Sequence, residues 1–256
     1  MGCATRAFRA EERGALTEAL YRKGSLLVSL DRDASQAFLS AQGLPEEAVG
    51  RVGRIVAVLS DDQYPLDKES AAFTALVEGS FPKTLTGLAL AHSEGWSKVP
   101  GGGWSDGKVS AGVLSGGLLL VTNGSYEAEK ERLAKAPENP LDVRIPDFSS
   151  VPIGIYAETP STFFPVSDDL PKTVLDGINR LTAEINGTSV SARLEMASED
   201  KASALGKVIR SWYVRELRLR HEKLDFTQLR SMFTQEGNLL TMDGMQLPDA
   251  AFLTAR

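Results

Sequence analysis

Apolar residues recur along the chain at two spacings, every third or fourth position and every second position, and the switches between them mark out helices and strands. From Thr5 to Lys23 the positions Phe8, Ala15, Leu16, Ala19 and Leu20 share one helical face, with Gly24 as the stop. Ser25 to Leu30 predicts a strand, Ser35 to Ala41 a short helix ending at Gly43, and Ile55 to Leu59 a strand covered on both faces. A strand at Ala72 to Val77 precedes a helix that opens at Pro82 and runs to about Val99, with Leu85, Leu88, Ala89, His92, Trp96 and Val99 as its stripe. Strands follow near Lys108 to Leu114 and Leu118 to Val121, with Asp106-Gly107 turning before the first. Asn123-Gly124 leads into a helix at Tyr126 to Ala136.

Pro137, Pro140, Pro146, Pro152, Pro160 and Pro165 mark a long connection, within which Ile153 to Ala157 reads as a strand. A helix is predicted from Pro171, striped by Val174, Ile178, Leu181 and Ile185. Asn186-Gly187 then turns the chain into the clearest strand in the sequence, where Val190, Ala192, Leu194 and Met196 alternate with Ser191, Arg193 and Glu195. Ser198 caps a long helix with Ala202, Leu205, Ile209, Trp212 and Tyr213 on its apolar side and Arg210, Arg215, Arg218 and Arg220 on the other. Asp225 to Phe233 predicts a further helix, and Leu239 to Met242, Asp243-Gly244 and Met245 to Leu247 a terminal hairpin before a helical tail from Pro248 to Arg256.

Phe81-Pro82-Lys83-Thr84-Leu85 and Leu170-Pro171-Lys172-Thr173-Val174 match, each after a strand and before a helix, which suggests an internal duplication. The expected fold is therefore α/β (α+β), a mixed sheet covered by amphipathic helices in an α/β/α arrangement. Its two halves, residues 1–145 and 146–256, are expected to pack as one compact unit.

Length and composition agree: 256 residues with 42% hydrophobic content can bury a sizeable core. A formal charge of -6 predicts no overall pull toward nucleic acid or anionic lipid. No run of about 20 apolar residues exists to span a bilayer. The single cysteine, Cys3, excludes an intramolecular disulfide and a cysteine-rich metal site. Gly2-Cys3 matches the end of a bacterial lipobox, in which the cysteine after the cleavage point is diacylated, and Met1 would then be a start added to a shortened chain. The competing reading is a gene that begins here with Cys3 an idle thiol. A myristoylation signal fits less well, because Arg6 stands where Ser or Thr is wanted.

Catalytic signatures are sparse. His92 on its apolar stripe reads as a hydrogen-bonded core histidine and His221 as part of a solvated helical face. Gly101-Gly102-Gly103-Trp104 is not followed by a predicted helix that could hold a phosphate and reads as a flexible turn. Asp61-Asp62 and Asp168-Asp169 are pairs a hydrolase could use, but as neighbours at turns they read as caps. Asn123-Gly124-Ser125 and Asn186-Gly187-Thr188 match a glycosylation pattern and are better explained as turns.

Together, Gly2-Cys3, the repeated order of elements and the amphipathic helices resemble the treponemal outer-membrane lipoproteins that insert through such helices. The resemblance implies a lipid-modified Cys3, exposure on the periplasmic leaflet of the outer membrane and a non-enzymatic role in binding lipid and perturbing the membrane. Phe8, Leu16, Leu20, Leu85, Leu88, Trp96, Leu205, Ile209, Trp212 and Tyr213 are the candidate lipid contacts. Membrane lipid is the expected partner; nucleic acid, metal and cofactor are not expected. The alternative is a soluble periplasmic carrier of an apolar ligand such as a lipid or fatty acid.

Overall fold

A computed structural model describes residues 16–60, 71–114, 117–135, 145–160, 175–222 and 225–246. It divides into two compact units, the first taking most of the chain up to Ile153 and the second running from Gly154.

In the first unit, β1 (Leu26–Leu30) is followed by helix α1 (Arg32–Ala41), a short α2 (Glu46–Val49), and β2 (Val52–Ser60). Asp31 caps α1, its carboxylate accepting the N–H of Ala34 at 2.9 Å. Antiparallel to β2 lies β3 (Ala72–Gly79), with Ile55 opposite Val77 and Ala57 opposite Ala75. Ile55 and Val56 point to opposite faces and both are buried, so β2 is covered on each side. Helix α3 (Lys83–His92) then leads to the short strands β4 (Ser97–Lys98), β5 (Trp104–Ser105) and β6 (Ser110–Val113), and to β7 (Leu118–Thr122). The strand order of this unit is β1-β2-β3-β7-β6-β5-β4. Leu30, Val52, Ile55, Ala75, Val77 and Phe81 form a core against which Phe38 and Leu39 of α1 pack.

Asn123 closes the β3–β7 ladder. Its side chain accepts the N–H of Phe73 at 2.8 Å and donates to the carbonyl of Ala71 at 2.7 Å, taking the place of a strand residue. Ser125 then caps α4 (Tyr126–Ala134).

The glycine run expected as a flexible turn is packed instead. A Cβ on Gly103 would fall 2.7 Å from the ring of Tyr126, and Gly101 and Gly112 would also meet that ring. Gly101 of the turn at Pro100–Gly102, Gly103 and, on β6, Gly112 together form its socket.

The second unit holds β8 (Ile153–Glu158), β9 (Ile178–Asn186), β10 (Ser189–Met196), α5 (Glu199–Leu219), α6 (Phe226–Met232), β11 (Phe233–Glu236) and β12 (Leu239–Gln246). Its strand order is β11-β12-β10-β9-β8. On β10 the predicted alternation holds: Val190, Ala192, Leu194 and Met196 are all buried. Their side chains meet Ala202, Leu205, Tyr213 and Leu217 of α5 in one core. Gly206 lets α5 approach closely, since a Cβ there would lie 3.2 Å from Leu240.

Three expectations are corrected. Twelve strands dominate the described residues, and the ladders β2–β3, β3–β7, β6–β7, β9–β10, β10–β12 and β11–β12 are antiparallel. The chain is thus a β-dominated α+β protein and not a mixed sheet covered by amphipathic helices.

Residues 178–186, expected on a helix, are β9. Arg180 pairs with Glu195 and Ile178 with Met196, so Asn179 is an extra residue, and this bulge sets Ile178 three positions before Leu181. A strand with a bulge therefore imitates helical spacing. The third correction concerns the terminal hairpin, which turns at Gly237 (φ 57°) between β11 and β12. Asp243-Gly244 is a bulge within β12, placed opposite Ser191.

The first helix is described only at residues 16–20. Cys3, Phe8, both aspartate pairs, the second copy of the Pro-Lys-Thr motif and the tail from Pro248 lie outside the described residues.

Candidate functional site

Phe81 is buried at the end of the first connection after β3, and Pro82 then starts α3 with φ -60°. The helix stops at His92, well short of Val99. His92 Nδ1 donates to the carbonyl of Leu88 at 2.8 Å and the Ser93 hydroxyl to that of Ala89 at 2.9 Å, so side chains take over the last carbonyls. Gly95 (φ 79°) completes the turn away.

The predicted stripe exists but faces outward. Leu85 is 61% exposed and Leu88 51%, with exposed Ala89 and His92 on the same side, so His92 is not a core histidine. Thr86, Gly87 and Leu90 form the inner face, and no residue of α3 is buried. A Cβ on Gly87 would lie 4.0 Å from Nε1 of Trp104, which places the helix over β5. The Oγ1 of Thr86 is enclosed without a hydrogen-bond partner. The helix thus turns Leu90 and the Thr86 hydroxyl inward and leaves Leu85 and Leu88 outward, where burial does not account for them.

The other candidate lipid contacts are distributed differently. Leu20 is fully buried, and Leu205 and Tyr213 are core residues that present no surface. Leu16 and Trp96 are half-buried, and Ile209 and Trp212 pack as half-buried neighbours on the core of the second unit. Among the described candidates, only Leu85 and Leu88 offer a broad apolar surface. Leu44 (42%) and Leu219 (68%), which sequence periodicity did not single out, are the further large exposed apolar residues among the described ones.

Sequence reasoning also missed two polar groups. In the second unit Arg180 pairs with Glu195 at 2.9 Å across the β9–β10 ladder, and the Tyr156 hydroxyl donates to Glu158 at 3.3 Å. Burial first, then the Glu158 carboxylate, pushes the Tyr156 phenol up to about 12, with Arg180 opposing. Such a phenol stays a hydrogen-bond donor near neutrality and is poorly matched to proton transfer there. In the first unit Glu129 is held by Arg22 and Arg132. His221 is exposed and left-handed (φ 57°) just beyond α5. Among the described residues, no three His, Cys, Asp or Glu side chains converge in a way that could hold a metal, and no helix is long and apolar enough to cross a membrane.

The sequence matches no protein-family model and no curated protein sequence. The fold is similar to that of TP0453, a Treponema pallidum protein. Against its crystal form III the TM-score is 0.52 at 12% identity, covering 93% of this chain and 96% of that one. Against crystal form IV it is 0.55 at 13% identity, covering 93% and 94%. At this identity the likeness is one of fold, and it extends over nearly the whole of both chains.

Proposed function

We propose that the protein is a non-enzymatic bacterial lipoprotein, anchored through Cys3 to the periplasmic leaflet of the outer membrane, that binds lipid and enters or perturbs the membrane through α3. The observation that carries this reading is the outward face of α3, with Leu85 and Leu88 more than half exposed. Burying what remains exposed of each leucine would contribute about 1–1.5 kcal/mol. A helix seated in this way gains by moving its apolar face into a lipid phase. The fold shared with TP0453 and the resemblance read from the sequence support the same direction.

Two acyl chains on Cys3, at about 0.8 kcal/mol per buried CH₂, would hold the protein at the membrane without help from any helix. The role left to α3 is therefore contact and perturbation, not attachment. Flotation of the unacylated chain with phospholipid vesicles tests this directly. The wild type should float, and Leu85→Glu combined with Leu88→Glu should remain at the bottom of the gradient while keeping its fold by circular dichroism. A wild type that fails to float while carrying a co-purified lipid would mark it as a soluble carrier instead.

A further inference from the structure

We infer that the solvent-facing side of α5 is a docking surface for anionic phospholipid headgroups, an inference that rests on the membrane role proposed above. The formal charge of the chain is -6, yet the stretch of α5 from Lys207 to Arg218 carries four cations, Lys207, Arg210, Arg215 and Arg218, against one anion, Glu216. Charge of opposite sign to the whole is thus concentrated on one helix.

The fold decides where that charge points. Ala202, Leu205, Gly206, Tyr213 and Leu217 fix the inner face of α5, so Lys207, Arg210, Arg215 and Arg218 are all exposed. From Lys207 to Arg218 the helix rises roughly 16 Å, long enough to meet several headgroups at once. Glu199 and Asp200 lie apart from this stretch in the first turn, where they complement the helix dipole. A basic last turn alone would be accounted for by the same dipole. Cations spread over three turns exceed that need.

Leu219 selects the occupant. It is 68% exposed, the most exposed large apolar residue described, and stands between Arg218 and Arg220. At a bilayer interface a leucine enters the acyl boundary while the neighbouring exposed Arg218 extends its stem toward the phosphates. A nucleic acid offers phosphates but nothing for Leu219. Half-buried Trp212 and Val214 border the same region.

The test compares the unacylated full chain on vesicles of phosphatidylcholine alone and on vesicles containing phosphatidylglycerol, at low and high salt. The wild type should bind the anionic vesicles more tightly, with the excess lost at high salt. Lys207→Gln with Arg218→Gln should weaken binding to anionic vesicles by about fivefold per cation while leaving binding to neutral vesicles and the melting temperature unchanged. Leu85→Glu with Leu88→Glu should reduce binding to both. Equal wild-type affinity for the two vesicles, or an unaltered charge variant, overturns the inference and leaves the role of α3 standing. Failure to bind either vesicle overturns both, and tighter binding to duplex DNA than to anionic vesicles reassigns the surface to nucleic acid.

Discussion

The ring of Tyr126 fills the space left by the missing side chain of Gly103, where a Cβ would lie only 2.7 Å from its Cγ. Tyr126 opens α4 and is 3% exposed, so this contact joins the start of the helix to the glycine that leads into β5. Gly103→Ala should destabilise the protein by about 1–3 kcal/mol through overpacking. Gly124→Ala, where the nearest atom lies 3.5 Å away at Thr122, should cost clearly less. Urea unfolding of the two variants measures the difference.

Glu129 ties the segment ending at Arg22 to α4. Arg132 bridges the two, pairing with Glu129 at 2.8 Å and donating to the carbonyls of Ala19 and Leu20. Burial alone would raise the Glu129 carboxyl, but the guanidiniums of Arg132 and Arg22 override it and hold it below its ordinary value. Its contribution to stability is therefore present above the unfolded carboxylate range and is lost as pH falls through the lowered value. Glu129→Gln should lower stability near neutrality by about 1–3 kcal/mol and flatten the acid limb of the stability curve. Faster tryptic cleavage after Arg22 in the variant provides a local readout.

Tyr156 governs the alkaline side. Its phenol is raised to about 12, so the folded state keeps a proton that the unfolded state releases in the ordinary tyrosine range near 10. Stability is fully present below that range and falls as pH rises through about 12. Tyr156→Phe should remove this part of the alkaline decline, as followed by thermal unfolding across the alkaline range.

Gly244 lies at φ 67° in the β12 bulge, where its N–H donates to the Ser191 hydroxyl at 3.3 Å and that hydroxyl donates to Asp243 at 2.6 Å. Gly244→Ala should cost about 1 kcal/mol or more because a side chain is strained at this φ. Ser191→Ala should cost about the same, through loss of the hydrogen bonds that fix the bulge. Both are measured by equilibrium unfolding in urea.

These bulges also explain what the sequence concealed. Strands with an uninterrupted period, such as Val190 to Met196, were legible because each inward residue is apolar and each outward one is not. Asn179 shifts Ile178 out of phase with Leu181, and Asp243-Gly244 has the composition of a hairpin turn, so from sequence both resemble other elements. Periodicity grouped Leu85, Leu88, Ala89 and His92 on one face of α3 correctly. It could not say which way that face points, because a helical stripe fixes a side and the packing partner fixes its direction. Leu219 belongs to no stripe, and its exposure emerges only once Tyr213 and Leu217 fix the rotation of α5.

If Leu85 and Leu88 carry α3 into lipid, a fluorophore on that helix enters with them. Leu88→Cys, made together with Cys3→Ser, gives a single labelling site for an environment-sensitive dye. Adding phospholipid vesicles should shift the emission to the blue and protect the dye from an aqueous quencher, whereas a dye at the same position that stays quenchable and unshifted in the presence of bound vesicles would contradict the account.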